Sequence, residues 1–519
     1  MRYIKISTLL PGLEDLLKKN KALVAKTGQA KLVLSADQHQ LPTEKISKYA
    51  IKVIKRLKQA GFKAYLVGGG VRDLLLGKTP KDFDVSTNAT PEQVRRLFSN
   101  ARIIGRRFKI VHIVYSNNDI IEVTTFRGGN PSQLQVESAI QREGKRFEVQ
   151  VTSQGMLVRD NSYGKRLEDD ARRRDFTINA IYLDIQTGEL IDMHGGLYDL
   201  THGVIDIIGD PETRYREDPV RILRAARFSA KLGFKISKRT LDKIAPCADL
   251  LQSVAPARMY DEVNKMFLTG HAQASFKVLT ALGLFSHLFT LSDMLLKSST
   301  CRDFLNHAFA STDQRFHEGK CNKPHFLYAI VLWNEFIWDF YEMRDDLMFS
   351  ANNINYKSLI SFLAAQVVIE QYRLTAMPEQ IIRSIALLWR LQFLLESKEP
   401  EKYVNETISY QGFRAAFDLF KLRSHFDKNL VSRVEFWQPY YDQCKADAER
   451  RRRNYDENRA ARDERRGRRN RRDRDRDEVR ASRDHDERGS NINFDETAAD
   501  KRNRMSKARN WRKAMNLEP

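Results

Sequence analysis

Apolar residues recur at helical spacing at Ile46, Ala50, Val53, Ile54 and Leu57, between a start signal at Pro42-Thr43-Glu44 and a stop at Gly61. That stripe predicts one amphipathic helix. Lys63–Val67 reads as a strand, Val71–Leu76 as a short helix after a glycine turn, and Phe83–Ser86 as a second strand. Thr90-Pro91-Glu92 marks a further helix start, with proline at the first helical position. Arg107–Tyr115 and Ile120–Phe126 alternate around Asn117-Asn118-Asp119, which predicts a β-hairpin. Helices and strands mixed in this way point to an α/β head on a small mixed sheet. Residues 127–171 are polar and read as a connection or strand excursion across a cleft. From about residue 230 to 440 the pattern is helical, and the aromatic stripes of Phe326–Phe340 and Ile381–Leu395 are expected to form core.

Composition changes this picture at both ends. Residues 1–40 read as weakly ordered. After residue 445 apolar residues nearly vanish, and arginines crowd together at Arg450–Arg453, Arg465-Arg466, Arg468-Arg469 and Arg471-Arg472. Such a segment cannot bury enough surface to offset its ordering entropy, so a disordered basic tail is expected. The net charge of +21 suggests a polyanionic partner, with the arginine pairs as phosphate contacts and Trp511 as a base-stacking candidate. The 519 residues suggest about three domains. Four scattered cysteines, with no Cys-x-x-Cys, argue against a zinc site and fit a reducing cytoplasmic setting. No apolar run approaches the roughly 18 residues of a membrane span.

The chemistry concentrates in Leu66-Val-Gly-Gly-Gly-Val-Arg-Asp73 and, nine residues on, Asp82-Phe-Asp84. Three glycines let a backbone turn approach a ligand, and a helix start beside them suits phosphate. Asp82 and Asp84, at i and i+2 of a strand, would share one face with Phe83 turned into the core. Two such carboxylates repel unless cations neutralise them, and an all-oxygen set suits Mg²⁺. A phosphate cradle beside a two-metal carboxylate pair is equipment for phosphoryl or nucleotidyl transfer.

Gly68-Gly-Gly-Val-Arg-Asp-Leu-Leu-Leu-Gly77 with Asp82-Phe-Asp84, then Arg172-Arg-Arg-Asp-Phe-Thr-Ile-Asn-Ala180, then Arg216-Glu-Asp-Pro-Val-Arg-Ile-Leu-Arg-Ala-Ala-Arg227 follow in order. Over residues 45–290 the chain resembles the template-independent nucleotidyltransferases, the family of bacterial poly(A) polymerases and tRNA CCA-adding enzymes. The resemblance implies an α/β nucleotidyltransferase head like a DNA polymerase β palm, an all-α body and a disordered basic tail. The expected segments are an extension over 1–42, a catalytic head over 43–185, a nucleotide-selecting neck over 186–290, an RNA-binding body over 291–445 and the arginine-rich tail over 446–519. It further implies two Mg²⁺ on Asp82 and Asp84, and a triphosphate held by Gly69, Gly70 and Arg72. Asp175 is the implied third functional carboxylate, held ionised by Arg173 and Arg174, with Glu122 on the second hairpin strand as the competitor. Asn179, four residues on from Asp175, would share its helical face and reach a ribose hydroxyl. Asp218 and Arg221 would read the base, the carboxylate accepting from an exocyclic amino group and the arginine donating to ring atoms.

ATP and CTP both carry such an amino group, so this selector leaves both activities open. Two features favour adenylate addition to RNA 3′ ends, in the service of RNA decay or processing, over CCA addition to tRNA. Ile103-Ile-Gly-Arg-Arg-Phe-Lys-Ile-Val-His112 resembles the polymerase signature, and an arginine-rich tail suits sequence-independent phosphate binding. The expected partners are ATP, RNA 3′ ends and RNA-decay or RNA-chaperone proteins. A non-catalytic RNA-binding adaptor is the reading from another class; intact Arg72, Asp82 and Asp84 argue against it.

Overall fold

The computed structural model describes residues 9–105, 109–115, 119–128, 149–151, 157–160, 163–350 and 356–486. The chain divides into two units, residues 1–438 and 439–519.

The first unit opens on an α/β head. Its strands are β1 (Leu32–Leu34), β2 (Ala64–Val67), β3 (Asp84–Thr87), β4 (Ala101–Ile104), β5 (Ile110–Val114), β6 (Ile120–Thr125), β7 (Val149–Val151), β8 (Leu157–Asp160), β9 (Ile181–Leu183) and β10 (Leu190–Asp192). Eight of them form one sheet in the order β1-β10-β9-β2-β3-β6-β5-β4, while β7 and β8 pair separately. The sheet is mixed: β3 runs parallel to β6, and the other neighbours are antiparallel. Leu66, Val67 and Val85 on its two middle strands are almost wholly buried, which places the glycine turn and the carboxylates at the end of the most protected part of the sheet.

The expected hairpin is present as β5 and β6, with Val111 opposite Val123 and Ile113 opposite Ile121. Its turn lies partly outside the described residues. The helix expected from Thr43 starts later, at Lys48. Thr43–Lys45 forms a single 3-10 turn, and Ser47 then caps the helix Lys48–Gln59 by accepting from the Tyr49 N–H. Ala50, Val53, Ile54 and Leu57 are its buried face, as the stripe implied. Thr90 and Gln93 form a capping box at the helix Pro91–Leu97.

The N-terminal segment departs from expectation. Glu14–Thr27 is a helix and β1 adds an edge strand beside β10, with Leu32 opposite Asp192. Lys21 on that helix reaches Asp199 at 2.6 Å and Asp206 at 3.1 Å. Two buried carboxylates more than 170 residues away in sequence supply the order that local composition does not announce.

Beyond residue 210 the first unit is helical. Rings of Phe267, Phe276, Phe285, Phe289 and Phe309 pack with centroids 4.9–6.4 Å apart. Trp389 is fully buried and donates its indole N–H to the Ala329 carbonyl. The aromatic stripes are therefore core, as expected. In the second unit, the arginine-rich stretch read as disordered is helical as far as Asp486, part of one helix that begins at Val431. Arginine, alanine and glutamate favour helix, and Arg452–Asp456 is an ion pair at i, i+4. Trp511 lies outside the described residues.

Candidate active site

Asp84 opens β3 and stands in register with Glu122 on the parallel neighbour β6. Gly68 brings the preceding turn against it. With φ +78°, Gly68 is in a conformation that side chains rarely adopt, and a Cβ there would lie 2.8 Å from Asp84 Oδ2. Gly70 does the same for the other carboxylate's loop, since its Cβ would meet the Asp82 carbonyl at 3.1 Å. Asp82 itself precedes the strand and is exposed, and Phe83 is buried as expected.

Burial pushes the Asp84 carboxyl up to about 6; Glu122 and Asp82 add to this, and Arg174 and Arg224 oppose it. Glu122 is raised as well, by burial and by Asp82, while Lys265 pulls it down. Among the described residues no side chain donates a hydrogen bond or forms an ion pair to Asp82 or Asp84, and no three His, Cys, Asp or Glu side chains form a ready-made metal cage. An all-oxygen pair left open on one side fits a cation that keeps waters and takes substrate phosphate oxygens as further ligands.

Asp175 is not held by Arg173 and Arg174, contrary to the sequence reading. Arg174 turns to Asp170 and to the Tyr182 hydroxyl. Arg173 is 3.4 Å from the Gly128 carbonyl. The cation on Asp175 is Arg224, whose Nε and Nη2 both donate to Oδ2 at 2.8 and 2.5 Å. Burial alone would raise the Asp175 carboxyl; the Arg224 pair and the Phe176 N–H hold it well below the usual carboxylate range. Asn179 lies on a 3-10 turn, Thr177–Asn179, and not on a helix shared with Asp175. Its amide still reaches Asp175 at 3.4 Å and accepts from Arg72 Nη1 at 2.8 Å.

Arg72, expected at the triphosphate, is 2% exposed. Its Nε and Nη2 are closed on Asp73 at 2.9 and 2.7 Å, and its guanidinium lies 5.3 Å from the Phe228 ring centroid. It knits the glycine turn to the Asn179 turn and to the helix Val220–Leu232.

Asp175, Asp218 and Arg221 line one cavity of about 320 Å³. The chain breaks at Asp218-Pro219, between helices Pro211–Glu217 and Val220–Leu232. The break turns Asp218 into the cavity, where Arg258 pairs both its oxygens at 2.9 and 3.0 Å. The arginines of the helix Val220–Leu232 are matched one by one: Arg221 with Glu217, Arg224 with Asp175 and Arg227 with Glu262. Sequence reasoning missed Arg258, Glu262 and Lys265 of the helix Pro256–Phe267. Their i, i+4 and i+7 spacing was legible, but nothing local ties that helix to Asp218, 40 residues earlier.

Three family models match the chain. "Poly A polymerase head domain" covers residues 64–206, and so the glycine turn, both aspartates and Asn179. "Probable RNA and SrmB- binding site of polymerase A" covers 233–294, and "Polymerase A arginine-rich C-terminus" covers 358–476. The poly(A) polymerase I of Escherichia coli O6:H1 is 39% identical over 410 residues, 78% of this chain and 84% of that one. That of Haemophilus influenzae is 36% identical over 79% of this chain and 88% of its own. The chain belongs to the poly(A) polymerase family. It is a nucleotidyltransferase, and members of this family generally use divalent metal ions. A CCA-adding enzyme of Lactobacillus helveticus is 35% identical, over 44% of this chain and 52% of its own length. Among solved structures, the Bacillus stearothermophilus CCA-adding enzyme in complex with CTP shares the fold, with a TM-score of 0.51 at 23% identity over 78% of this chain and 82% of that one. The α/β head and the helical body therefore stand as the sequence suggested. No helix among the described residues is long and apolar enough to cross a membrane.

Proposed function

We propose that this chain is a template-independent polynucleotide adenylyltransferase, adding AMP from ATP to RNA 3′ ends. The observation that carries it is the extent of likeness: the poly(A) polymerase I relatives match over 84–88% of their length and the arginine-rich C-terminus model matches residues 358–476, whereas the CCA-adding relative matches over about half of its length.

The site supports the same chemistry. Asp82 and Asp84 are the residues that would hold two Mg²⁺ ions, which when bound lower the pKa of the RNA 3′-hydroxyl and neutralise the triphosphate. Gly69 and Gly70 open the helix Gly69–Leu75 beside these carboxylates and leave its backbone N–H groups accessible to phosphate. Arg72 braces that helix against Asn179, and Asn179 and Asp175 would orient the ribose. Asp218 and Arg221 face the cavity that would take the adenine, and their pairing with Arg258 and Glu217 fixes its outline. Glu122 adds a carboxylate beside Asp84. The proposed partners are ATP, RNA 3′ ends and RNA-decay or RNA-chaperone proteins, the last supported by the family description of residues 233–294.

Wild-type protein is expected to extend an RNA primer with ATP. Asp82→Ala or Asp84→Ala should abolish extension and leave RNA binding intact, because phosphate contacts by Lys and Arg do not need the carboxylates. Near-wild-type extension by either variant refutes the assignment.

A further inference from the structure

Arg72 is engaged with Asp73 and Asn179, and the cavity beside it carries further cations. Five cations line the cavity: Arg173, Arg221, Arg224, Arg258 and Lys265. Arg221, Arg224 and Arg258 each pair with a carboxylate at 2.5–3.0 Å, and Arg173 is buried against the backbone. Lys265 differs. Its side chain is 53% exposed, against 12–33% for those three paired arginines. Its one ion pair is long, 3.4 Å to Glu262 Oε1, and the other oxygen of Glu262 already accepts from Arg227 at 2.9 Å. A loosely held, half-exposed lysine on the wall of a nucleotide-sized cavity is free to turn to a phosphate of the bound substrate. An ammonium on a flexible stem suits a phosphate as a point charge.

We propose that Lys265 binds a substrate phosphate in this cleft, an assignment that rests on the adenylyltransferase reading for the identity of the substrate. On binding, its ammonium leaves Glu262 to Arg227 and takes a non-bridging phosphate oxygen of the incoming triphosphate or of the RNA 3′ end.

The test is equilibrium binding of ATP, inorganic tripolyphosphate, adenosine and an oligoadenylate RNA to wild type, Lys265→Met and Lys265→Arg. Removing one charge-assisted hydrogen bond predicts roughly tenfold weaker ATP and tripolyphosphate binding in Lys265→Met. Adenosine affinity and melting temperature should be unchanged, and Lys265→Arg should recover most of the affinity. Weaker RNA binding with ATP unchanged would assign the phosphate to the RNA strand. Unchanged affinity for every phosphate ligand overturns the proposal, and so does a parallel drop in adenosine affinity, which would mark a merely structural lysine. A wild-type protein that fails to extend RNA would sink the adenylyltransferase reading instead, while the tripolyphosphate comparison would still decide the role of Lys265.

Discussion

Arg72 Nη1 donates to Asn179 Oδ1 at 2.8 Å across 107 residues of sequence, and Asn179 in turn reaches Asp175. One buried guanidinium thus ties the helix after the glycine turn to the turn Thr177–Asn179, which reaches Asp175. Phe228 extends the tie, because Arg72 and Arg224 each sit 5.3 Å from its ring centroid.

Breaking that tie should act first on the fold. Arg72→Ala leaves Asp73 and Asn179 without their cation and is expected to cost about 3 kcal/mol in urea unfolding. Asn179→Ala removes one hydrogen bond to a charged group and should cost about 1.5–2 kcal/mol. An Arg72→Ala protein of wild-type stability, with only a raised KM for ATP, would return Arg72 to the triphosphate role its motif suggests.

Acid should destabilise the chain through buried His194 and half-buried His271. His194 and His271 are each held down to about 4 by burial, against an ordinary value of 6.5. The folded state binds their protons more weakly than the unfolded chain does. The stability they lend is therefore full above pH 6.5 and is lost as pH falls through 4. The shift corresponds to about 3 kcal/mol for each group. His194→Gln should flatten the fall in unfolding free energy between pH 6.5 and 4. An unchanged slope would show that His194 protonates in the folded state without penalty.

Lys21 links the N-terminal helix to the active-site scaffold. Asp199, which it contacts, accepts from the Thr177 hydroxyl at 2.6 Å, and Thr177 begins the Asn179 turn. Lys21→Met leaves buried Asp199 without a cation, while Asp206 keeps Arg239 at 2.8 Å. The substitution should lower stability by about 3 kcal/mol and reduce kcat more than it raises the KM for ATP. Wild-type thermal stability in this variant would show that the segment is a dispensable edge.

The glycine turn was legible because close backbone approach is a local property; the Asp-x-Asp pair was legible as a motif, but Asp82 precedes β3, which begins at Asp84, so the period-two geometry expected of the pair is not met. The capping box at Thr90, the hairpin around residue 117 and the aromatic core helices were legible because their patterns are local as well. The ordered N-terminus was not, because its order comes from Asp199, Asp206 and β10. The partner of Asp175 was also misread: adjacent arginines looked sufficient, yet backbone direction sends Arg174 to Asp170 and brings Arg224 in from another helix. Arg258 and Lys265 carry no motif at all, and only the packing of the helix Pro256–Phe267 reveals them. The segment Gly105-Arg-Arg-Phe108, which favoured adenylate addition, lies partly outside the described residues.

The arginine-rich stretch should contribute RNA affinity without contributing to catalysis. Removing residues 450–519 is expected to leave extension of a saturating short primer nearly unchanged and to shorten products on long RNA. The slope of log affinity against log salt should fall by about 0.7 for each single-strand phosphate that the arginines no longer neutralise. Parallel salt lines of equal affinity would show that these arginines do not engage RNA.

The central claim is template-independent adenylate addition at the Asp82–Asp84 pair. Its most direct measurement is extension of an unstructured RNA and of a CCA-trimmed tRNA, each with one nucleoside triphosphate at a time. The account predicts long tails from ATP on both RNAs and poor use of CTP. Restoration of CCA on the trimmed tRNA, with a halt after that sequence and no tail on the unstructured RNA, would contradict it.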